Sequence, residues 1–447
     1  MNFRKDLFKT YHLISRKNTL NHLKTIERTQ FLSKEELDKI RFKKLKNLLN
    51  YTYKNVPFYR KTFKELKLTP DDIKSSKDLD KLPVISKDDI INNFKQMVSV
   101  EYSSNDLIKN STGGSTGKNL NFYKDKKHSE IRHAFALRGD KWAGLDIGTK
   151  NAYLWGSTFD LSLTNTIGGQ ISNKVLGSIF LSSYELSDEK MLEYAQILKK
   201  YSPKVLIAYP SSLYIFAKFL EKYEIDYINF NSIITSAETL YDYQRESIEE
   251  IFSCKVFNRY GCREFGPIAH ECSNHSGLHI NSEHLYLELL GNKDYKDTYG
   301  NESSRIIVTD LDNYAMPFIR YEIGDIGKIL DYNCDCGRGL PLMNVEGRTF
   351  DVVVGVNGNR LGGTFWTLLL RTYVEGIEQF QVIQKSKDTL NIKIVVNDEF
   401  NEEYINHIRS KILEYCGDEM RIKFNLVDCI DKTPAGKYRF VINQVNQ

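Results

Sequence analysis

The first 250 residues of this 447-residue sequence contain no cysteine. All the cysteines come later, and they are Cys254, Cys262, Cys272, Cys334, Cys336, Cys416 and Cys429. Their number is odd and the N-terminal segment lacks the pattern of an export signal, so a network of disulfide bonds is not expected. We therefore predict a protein of the reducing cytoplasm.

Long apolar runs are absent as well. No stretch approaches the ~18 apolar residues of a membrane-spanning helix. The segment 1–20 is basic, but polar residues interrupt its apolar positions, which favours a solvated amphipathic helix over a signal peptide. The net charge is small, since 62 Lys and Arg against 58 Asp and Glu leave +4. A nucleic-acid surface needs a more concentrated positive charge, so we predict neither a transmembrane segment nor a nucleic-acid partner.

The composition is that of a folded protein, with 41% hydrophobic and 27% charged residues. The length allows roughly two to four domains. Residues 1–100 have the apolar spacing of a helical arm. Further on, apolar runs at 205–209, 232–235 and 255–258 alternate with helical patterns. This alternation is typical of parallel βαβ units and predicts the α/β fold class.

The pattern changes after Gly347 and Arg348. Two strands and a helix are predicted there, at 390–396, 422–427 and 404–415. These elements form an α+β unit of the usual size for a separate domain. We predict a large N-terminal domain at 1–346, with mixed and parallel sheets and helices, and a small mobile α+β C-terminal domain at 347–447.

The strongest local motif is rich in glycine and hydroxyl groups. It consists of Ser111, Thr112, Gly113, Gly114, Ser115, Thr116, Gly117 and Lys118. Glycines let the main chain approach an anion, so that N–H groups can surround it, and the hydroxyls and lysine add donors. The P-loop pattern fails, because Thr112 replaces its first glycine and Asn119 its last hydroxyl residue. The density of donors favours phosphate binding over a flexible linker.

Two further motifs carry an aromatic ring, carboxylates and a guanidinium. The segment 258–266 follows a predicted strand, and its Tyr260 can stack on a base while Glu264 can hold Mg²⁺ beside phosphates. The segment 320–325 ends in Asp325, whose carboxylate suits ribose hydroxyls, and the later Arg348 suits a phosphate. Each of these motifs alone also fits ordinary surface residues.

A fourth motif lies close to the C-terminal end. Thr433, Pro434, Ala435, Gly436 and Lys437 form a predicted turn around a single lysine. A proline and a glycine beside this lysine indicate more order than a frayed basic tail has.

In this order, the four motifs resemble those of the adenylate-forming superfamily of acyl- and aryl-CoA ligases. The resemblance is strongest to the branch of phenylacetate-CoA ligases and of CapK-type proteins of capsule biosynthesis. The stretches Asn55–Arg60, Leu82–Lys87 and Ser236–Thr239 also carry it. The resemblance covers the chain from about residue 35 to its end.

The resemblance implies a role for each motif. It assigns pyrophosphate and the α-phosphate to the loop 111–118, and it makes Glu264 the Mg²⁺ ligand. It implies that Ala237 and Glu238 flank the adenine, with Tyr260 on the other side.

For the rest of the nucleotide site and the small domain, the resemblance implies that Asp325 binds the ribose, that Arg348 belongs to the hinge, and that Lys437 is the mobile catalytic lysine. The sequence departs from the family pattern at the hinge, where Phe350 replaces an acidic residue or lysine and Asp351 follows.

A fifth pattern combines Cys272 and His275 with Cys334 and Cys336. Thiolate and imidazole are preferred ligands of zinc, and structural zinc sites use four of them. The turn-rich segment after Cys334 favours a metal over ordinary cytosolic cysteines, and the resembled branch carries a Cys/His metal knuckle. His279 can substitute for His275, and the sequence leaves this choice open.

The sequence thus predicts a ligase that uses ATP and Mg²⁺ to adenylate a carboxylic acid and then transfers the acyl group to CoA. The resemblance to CapK implies a setting in capsule polysaccharide biosynthesis. One alternative acceptor is an amine such as an amino sugar. Another alternative is a nucleotide-binding scaffold of a polysaccharide assembly with little catalysis. The predicted partners are the acid, ATP, CoA or an amine, and a second copy of the chain in a homodimer.

Overall fold

The structure is a computed structural model. It describes residues 3–14, 18–112, 120–155, 173, 177–183, 186–225, 228–296, 302–348, 352–361, 365–366, 369–370, 376–431 and 439–445. Gly113–Asn119, Phe350, Asp351 and Thr433–Lys437, which the sequence motifs singled out, lie outside these ranges.

Helices dominate the N-terminal hundred residues. They are α1 (Phe3–Ile14), α2 (Thr19–Thr29), α3 (Lys34–Asn55), α4 (Pro57–Glu65), α5 (Lys87–Asn92) and α6 (Phe94–Met97), with 3₁₀ turns at Pro70–Asp72 and Ser76–Lys81. The longest, α3, begins with a capping box in which Ser33 and Glu36 bond to each other's main chain. It ends before Pro57, whose missing N–H suits the first turn of α4.

A short hairpin and a long helix follow. The hairpin consists of β1 (Ile108–Ser111) and β2 (Asn121–Lys124), and α7 (Lys126–Trp142) comes directly after it. The side chain of Asp125 caps α7 by accepting a hydrogen bond from the His128 N–H at 2.7 Å. β2 is thus paired with β1 and followed at once by a capped helix.

A thirteen-stranded sheet forms the centre of the molecule. Its strands are β3 (Asn151–Trp155), β4 (Ser178–Ser182), β5 (Val205–Ala208), β6 (Ser232–Ser236), β7 (Lys255–Cys262), β8 (Gly266–Glu271), β9 (Leu278–Ile280), β10 (Leu285–Lys296), β11 (Glu302–Asp310), β12 (Tyr321–Ile329), β13 (Leu342–Arg348), β14 (Val353–Val354) and β15 (Arg360–Leu361). Their spatial order is 14-15-10-11-12-13-9-8-7-6-5-3-4.

In this spatial order, the neighbours among β4, β3, β5, β6 and β7 pair in parallel. The neighbours among β7, β8, β9, β13 and β12 pair antiparallel. The helices α8 (Asp188–Tyr201), α9 (Pro210–Lys222) and α10 (Asp242–Phe252) connect the parallel strands. They pack against one face of these strands in a shared apolar core. This arrangement confirms the α/β fold class that the alternation of patterns predicted.

The C-terminal unit contains a four-stranded sheet. Its elements are β16 (Ile377–Ser386), β17 (Thr389–Val396), α11 (Glu403–Cys416), β18 (Arg421–Leu426) and β19 (Val441–Asn443). Alternating residues of β17 point into a core that also holds Ile408 and Ile412 of α11. The predicted boundary between residues 346 and 347 lies inside β13, and β14 and β15 still pair with the large sheet. None of the described helices has the length and apolarity that crossing a membrane requires.

A buried ion pair joins α7 to the sheet. Arg138 donates to the Glu283 carboxylate at 2.6 and 3.2 Å and to Asn281 at 2.8 Å, and both charged side chains are at most 5% exposed. The same guanidinium donates to the carbonyl of Ile26 in α2, at 3.0 Å. Arg138 therefore connects the N-terminal helices, α7 and the sheet.

We predict that Arg138→Met lowers the free energy of unfolding by about 3–5 kcal/mol, because it leaves the Glu283 charge buried without its partner. Lys218→Met is the control, since Lys218 pairs with Glu221 on the exposed face of α9. Its effect should stay within about 1 kcal/mol. Denaturant unfolding, followed by tryptophan fluorescence, measures both. Equal losses in the two variants would contradict the importance of the buried pair.

Candidate functional site

The candidate site lies at the carboxyl ends of β6 and β7, where ligands bind in sheets of this kind. Ala237 follows β6 directly and has a φ of 72°, a left-handed conformation that is uncommon for a residue other than glycine. Glu238 comes next, and its carboxylate accepts a hydrogen bond from the N–H of Ser211, at 3.1 Å, in the first turn of α9. The two residues predicted to flank adenine are thus held at the sheet edge.

Three of the predicted nucleotide-binding residues form one hydrogen-bonded network. The Tyr260 hydroxyl donates to Asp325 Oδ2 at 2.8 Å, and Arg348 Nε donates to Asp325 Oδ1 at 2.7 Å. Asp325 and Arg348 are paired residues of β12 and β13, whereas Tyr260 comes from β7. Burial and the nearby Asp325 charge raise the pKa of Tyr260 well above its usual value, so its hydroxyl remains a donor.

Glu264 lies in the tight turn between β7 and β8. Gly261 pairs with the other side of this hairpin, and a Cβ there would collide with the carbonyl oxygen of Gly266. Gly266 itself has a φ of 75°, which glycine adopts without strain. Glu264, a partly exposed residue, therefore lies in the turn that directly follows β7, the strand that carries Tyr260.

Arg132 of α7 supports this turn, and the sequence analysis missed it. Its guanidinium donates to the carbonyl oxygens of Arg263 and Glu264, at 2.9 and 3.2 Å. It also packs on Gly266, where a Cβ would meet it. The sequence offered one signal for it: Arg132 follows His128 by four residues, so the two side chains lie on the same side of the helix.

Lys124, at the end of β2, was also missed. Burial lowers its pKa to about 8, and the charges of Arg132 and Arg263 lower it further in the same direction. The other end of β2 follows the glycine-rich loop, where the Thr112 N–H bonds to the Leu120 carbonyl at 2.9 Å. Three cations therefore lie near both the Glu264 turn and the hairpin from which that loop departs.

Four potential zinc ligands meet on the antiparallel side of the sheet. The ligand atoms of Cys272, His279, Cys334 and Cys336 all lie within 4.8 Å of one another. Cys272 Sγ is 3.6 Å from Cys334 Sγ, and Cys336 Sγ is 3.3 Å from His279 Nε2. His279 Nδ1 lies 3.3 Å from the Leu340 carbonyl, the second partner that orients a metal-binding imidazole. Three thiols and an imidazole fit a structural zinc site.

His275 is a correction to the predicted ligand set, because it is not part of this group. Its Nδ1 lies 3.4 Å from the Glu271 carboxylate, and its ring packs on Phe257 with 4.8 Å between centroids. His275 occupies a turn with a φ of 50°, whereas His279 belongs to β9 and pairs with Leu342 of β13. The strand pairing therefore brings His279, which the sequence had left as the substitute, to the cysteines.

Comparison with known proteins adds independent information. Residues 356–444 match the family described as the CapK C-terminal domain. Protein CapK of Staphylococcus aureus is 26% identical over 416 residues, which cover 92% of this chain and 90% of CapK. The phenylacetate-coenzyme A ligase of Thermus thermophilus is 24% identical, over 83% of this chain and 84% of the ligase.

Solved structures show a similar fold. A 2-hydroxyisobutyryl-CoA ligase, in the postadenylation state with R3-HIB-AMP, superposes with a TM-score of 0.73 over 94% of this chain and 92% of that one. The identity is 18%, so the likeness concerns the fold. The anthranilate CoA ligase AuaEII, in complex with anthranoyl-AMP, gives a TM-score of 0.51 over 76% of this chain and 67% of that one.

We predict that Arg132→Met speeds hydrogen exchange of the main-chain amides of residues 263–266 by roughly tenfold or more. Each carbonyl left without its donor costs about 1–3 kcal/mol, and 1.4 kcal/mol corresponds to a factor of ten. In Arg132→Lys the exchange rate should lie between those of the wild type and of Arg132→Met, because one ammonium group cannot donate to both carbonyls as the planar guanidinium does.

The matched control is Arg305→Met, which removes an arginine paired with Glu322 on neighbouring strands of the same sheet. Exchange at 263–266 should not change in this variant. Protection that survives Arg132→Met would show that the turn holds its shape without the arginine.

Proposed function

We propose that this chain, which is similar to CapK and to phenylacetate-coenzyme A ligases, activates a carboxylic acid with ATP and transfers the acyl group to coenzyme A. In the first step, a carboxylate oxygen of the acid attacks the α-phosphorus and pyrophosphate leaves. In the second, the thiolate of coenzyme A attacks the acyl carbonyl and AMP leaves.

The observation that carries this proposal is the network of Tyr260, Asp325 and Arg348 beside the Glu264 turn. Each oxygen of Asp325 accepts one hydrogen bond in this network, and a carboxylate oxygen can accept two. Asp325 therefore retains acceptor capacity for the ribose hydroxyls. The adenine would lie between the ring of Tyr260 and the segment of Ala237 and Glu238.

The phosphates would lie on the side of Glu264. We assign them to the loop Ser111–Lys118, assisted by the cations of Lys124, Arg132 and Arg263. Glu264 offers the hard carboxylate oxygen that Mg²⁺ prefers, and it would hold this ion. The bound ion would offset the charge that develops on the phosphates.

Lys437 and the segment from Arg348 to Asp351 complete the proposal. An ammonium from Lys437 would stabilise the converging charges of the carboxylate and the α-phosphate. The small C-terminal unit would then turn about the segment that contains Phe350, so that the lysine leaves and the acceptor enters.

The relationship to CapK supports a second candidate acceptor, the amine of a sugar, and a setting in capsule polysaccharide biosynthesis. In that reaction the amine nitrogen attacks the acyl carbonyl, AMP leaves, and an amide forms. A scaffold with little catalysis is disfavoured, because Glu264, Asp325 and Arg348 keep the side chains that adenylation requires. We further propose that the protein acts in the cytoplasm and as a homodimer.

We predict that at least one acid in a panel of aromatic, aliphatic and amino acids drives exchange of pyrophosphate into ATP with Mg²⁺. Glu264→Gln keeps the size of the side chain but removes its charge, so exchange should fall about 10²–10³-fold, as for other preorganised charge-stabilising groups. Glu249→Gln is the control and should retain the wild-type rate, since Glu249 of α10 pairs with Lys255 at the start of β7.

The same preparation distinguishes the acceptors. The adenylate formed from the active acid is supplied with coenzyme A or with amino sugars, and the thioester or amide is identified by mass spectrometry. If no acid drives exchange in the wild type, adenylation is refuted. If Glu264→Gln exchanges at the wild-type rate, the assignment of Mg²⁺ to Glu264 is wrong.

We also propose that Cys272, His279, Cys334 and Cys336 hold a structural zinc ion. His279→Ala and Cys336→Ser should each release one equivalent of zinc and lower the melting temperature, since binding to a closed site contributes to folding. His275→Ala and Cys429→Ser should retain the zinc. Elemental analysis decides, and loss of zinc from His275→Ala but not from His279→Ala would reverse the ligand assignment.

A further inference from the structure

A second group of potential metal ligands lies between α7 and the sheet. The ligand atoms of His128, His284 and Asp310 lie within 4.8 Å of one another, and all three residues are at most 1% exposed. His128 comes from α7, His284 precedes β10, and Asp310 ends β11. The proposed adenylation site and the cysteine cluster use none of these residues.

Two ring nitrogens in this group lack hydrogen-bond partners. His128 Nε2 lies 2.8 Å from Asp310 Oδ2, an ion-pair contact between two buried side chains. Within the described part of the chain, Nδ1 of His128 and Nε2 of His284 have no hydrogen-bond partner. Buried polar atoms in proteins nearly always have one, so an unpartnered nitrogen on each ring needs another explanation.

The surroundings of the cluster orient the ligands as metal sites do. His284 Nδ1 lies 2.9 Å from Asp312 Oδ2, and Lys44 in turn donates to both oxygens of Asp312 at 2.8 and 2.9 Å. A carboxylate on one imidazole nitrogen is the usual outer partner of a histidine that binds a metal through the other. With Nδ1 as the donor in this contact, the lone pair of Nε2 is available to a metal ion. Nδ1 also lies 3.8 Å from Asp310 Oδ1.

Asp310 is oriented in the same way. Its Oδ1 accepts hydrogen bonds from the N–H groups of Asp312 and Asn313, at 2.9 and 3.1 Å. Its Oδ2 faces His128. The centroids of the two imidazole rings are 5.5 Å apart, and two imidazoles on one tetrahedral ion have centroids roughly 5 Å apart.

We propose that His128, His284 and Asp310 bind one divalent transition-metal ion of the zinc class. Ions of this class bind imidazole nitrogen well, whereas Mg²⁺ and Ca²⁺ take oxygen ligands. Two imidazoles and one carboxylate therefore favour an ion of the zinc class. With neutral imidazoles, Asp310 and Asp312 carry two negative charges, and the nearby cations are Lys44 and Arg132. The proposal therefore rests on the ligand set and on its burial.

The position of the site indicates a structural role. The ion would join α7 to the ends of two strands, while Lys44 adds a link to α3. Arg132, which supports the Glu264 turn, lies one helical turn after His128. A metal at this point would therefore fix the segment of α7 that the turn depends on. This inference does not rest on the proposed reaction.

The test is metal content per chain, measured by mass spectrometry on full-length protein prepared without chelators from zinc-supplemented cells. We expect His128→Asn and His284→Gln each to lose the one equivalent of metal held by this cluster. Cys336→Ser should keep that equivalent and lose the zinc of the cysteine cluster. A variant that combines Cys336→Ser with His284→Gln should hold no metal. His270→Gln is the matched control, because His270 is also buried with an unpartnered Nε2 but has no place in the cluster. It should retain every equivalent.

A second measurement covers variants that fail to fold. Cys336→Ser, refolded or exchanged with Co²⁺ alone, should show the visible absorption of a cobalt site with nitrogen and oxygen ligands and without a sulfur-to-cobalt charge-transfer band. If Cys336→Ser holds no metal and takes up no Co²⁺, the proposal is overturned, and a proton shared between His128 and Asp310 explains their contact instead.

Discussion

The pairing of β7 on its two edges is the constraint on which the candidate site depends. β7 runs parallel to β6 and antiparallel to β8, so it ends the parallel part of the sheet and begins the antiparallel part. Tyr260 can reach Asp325 only because the antiparallel strands return to the carboxyl end of β7. The Glu264 turn is the first reversal after the parallel strands, which places it at the same edge.

The inner side of α7 carries polar side chains that reach different parts of the fold around this site. His128, Arg132 and Arg138 lie on its inner side, at spacings of four and six residues, and each contacts a different part of the fold. Arg132 bonds to main-chain carbonyls, which carry no net charge, whereas Arg138 meets a full carboxylate. Burial disfavours isolated charges, so the two arginines depend on these particular partners.

The fold class could be predicted from the sequence because the parallel strands are short apolar runs between amphipathic helices, and both patterns are local. Motifs alone singled out Asp325 and Arg348 as candidates, and the register of β12 and β13 places them opposite each other. The choice between His275 and His279 depends on the pairing of β9 with β13, a contact across more than sixty residues. Arg132 and Lys124 were missed for the same reason, since their partners are distant in sequence and include main-chain atoms.

The short strands β14 and β15 have a consequence for motion between the two units. Leu361 pairs with Lys296 at the edge of the large sheet, while the side chains of Val353 and Leu361 are buried in the core of the C-terminal unit. A rotation of the C-terminal core as one body would therefore have to break this pairing. Among the described residues one pair joins β15 to β10, so breaking the described contact would cost few main-chain hydrogen bonds.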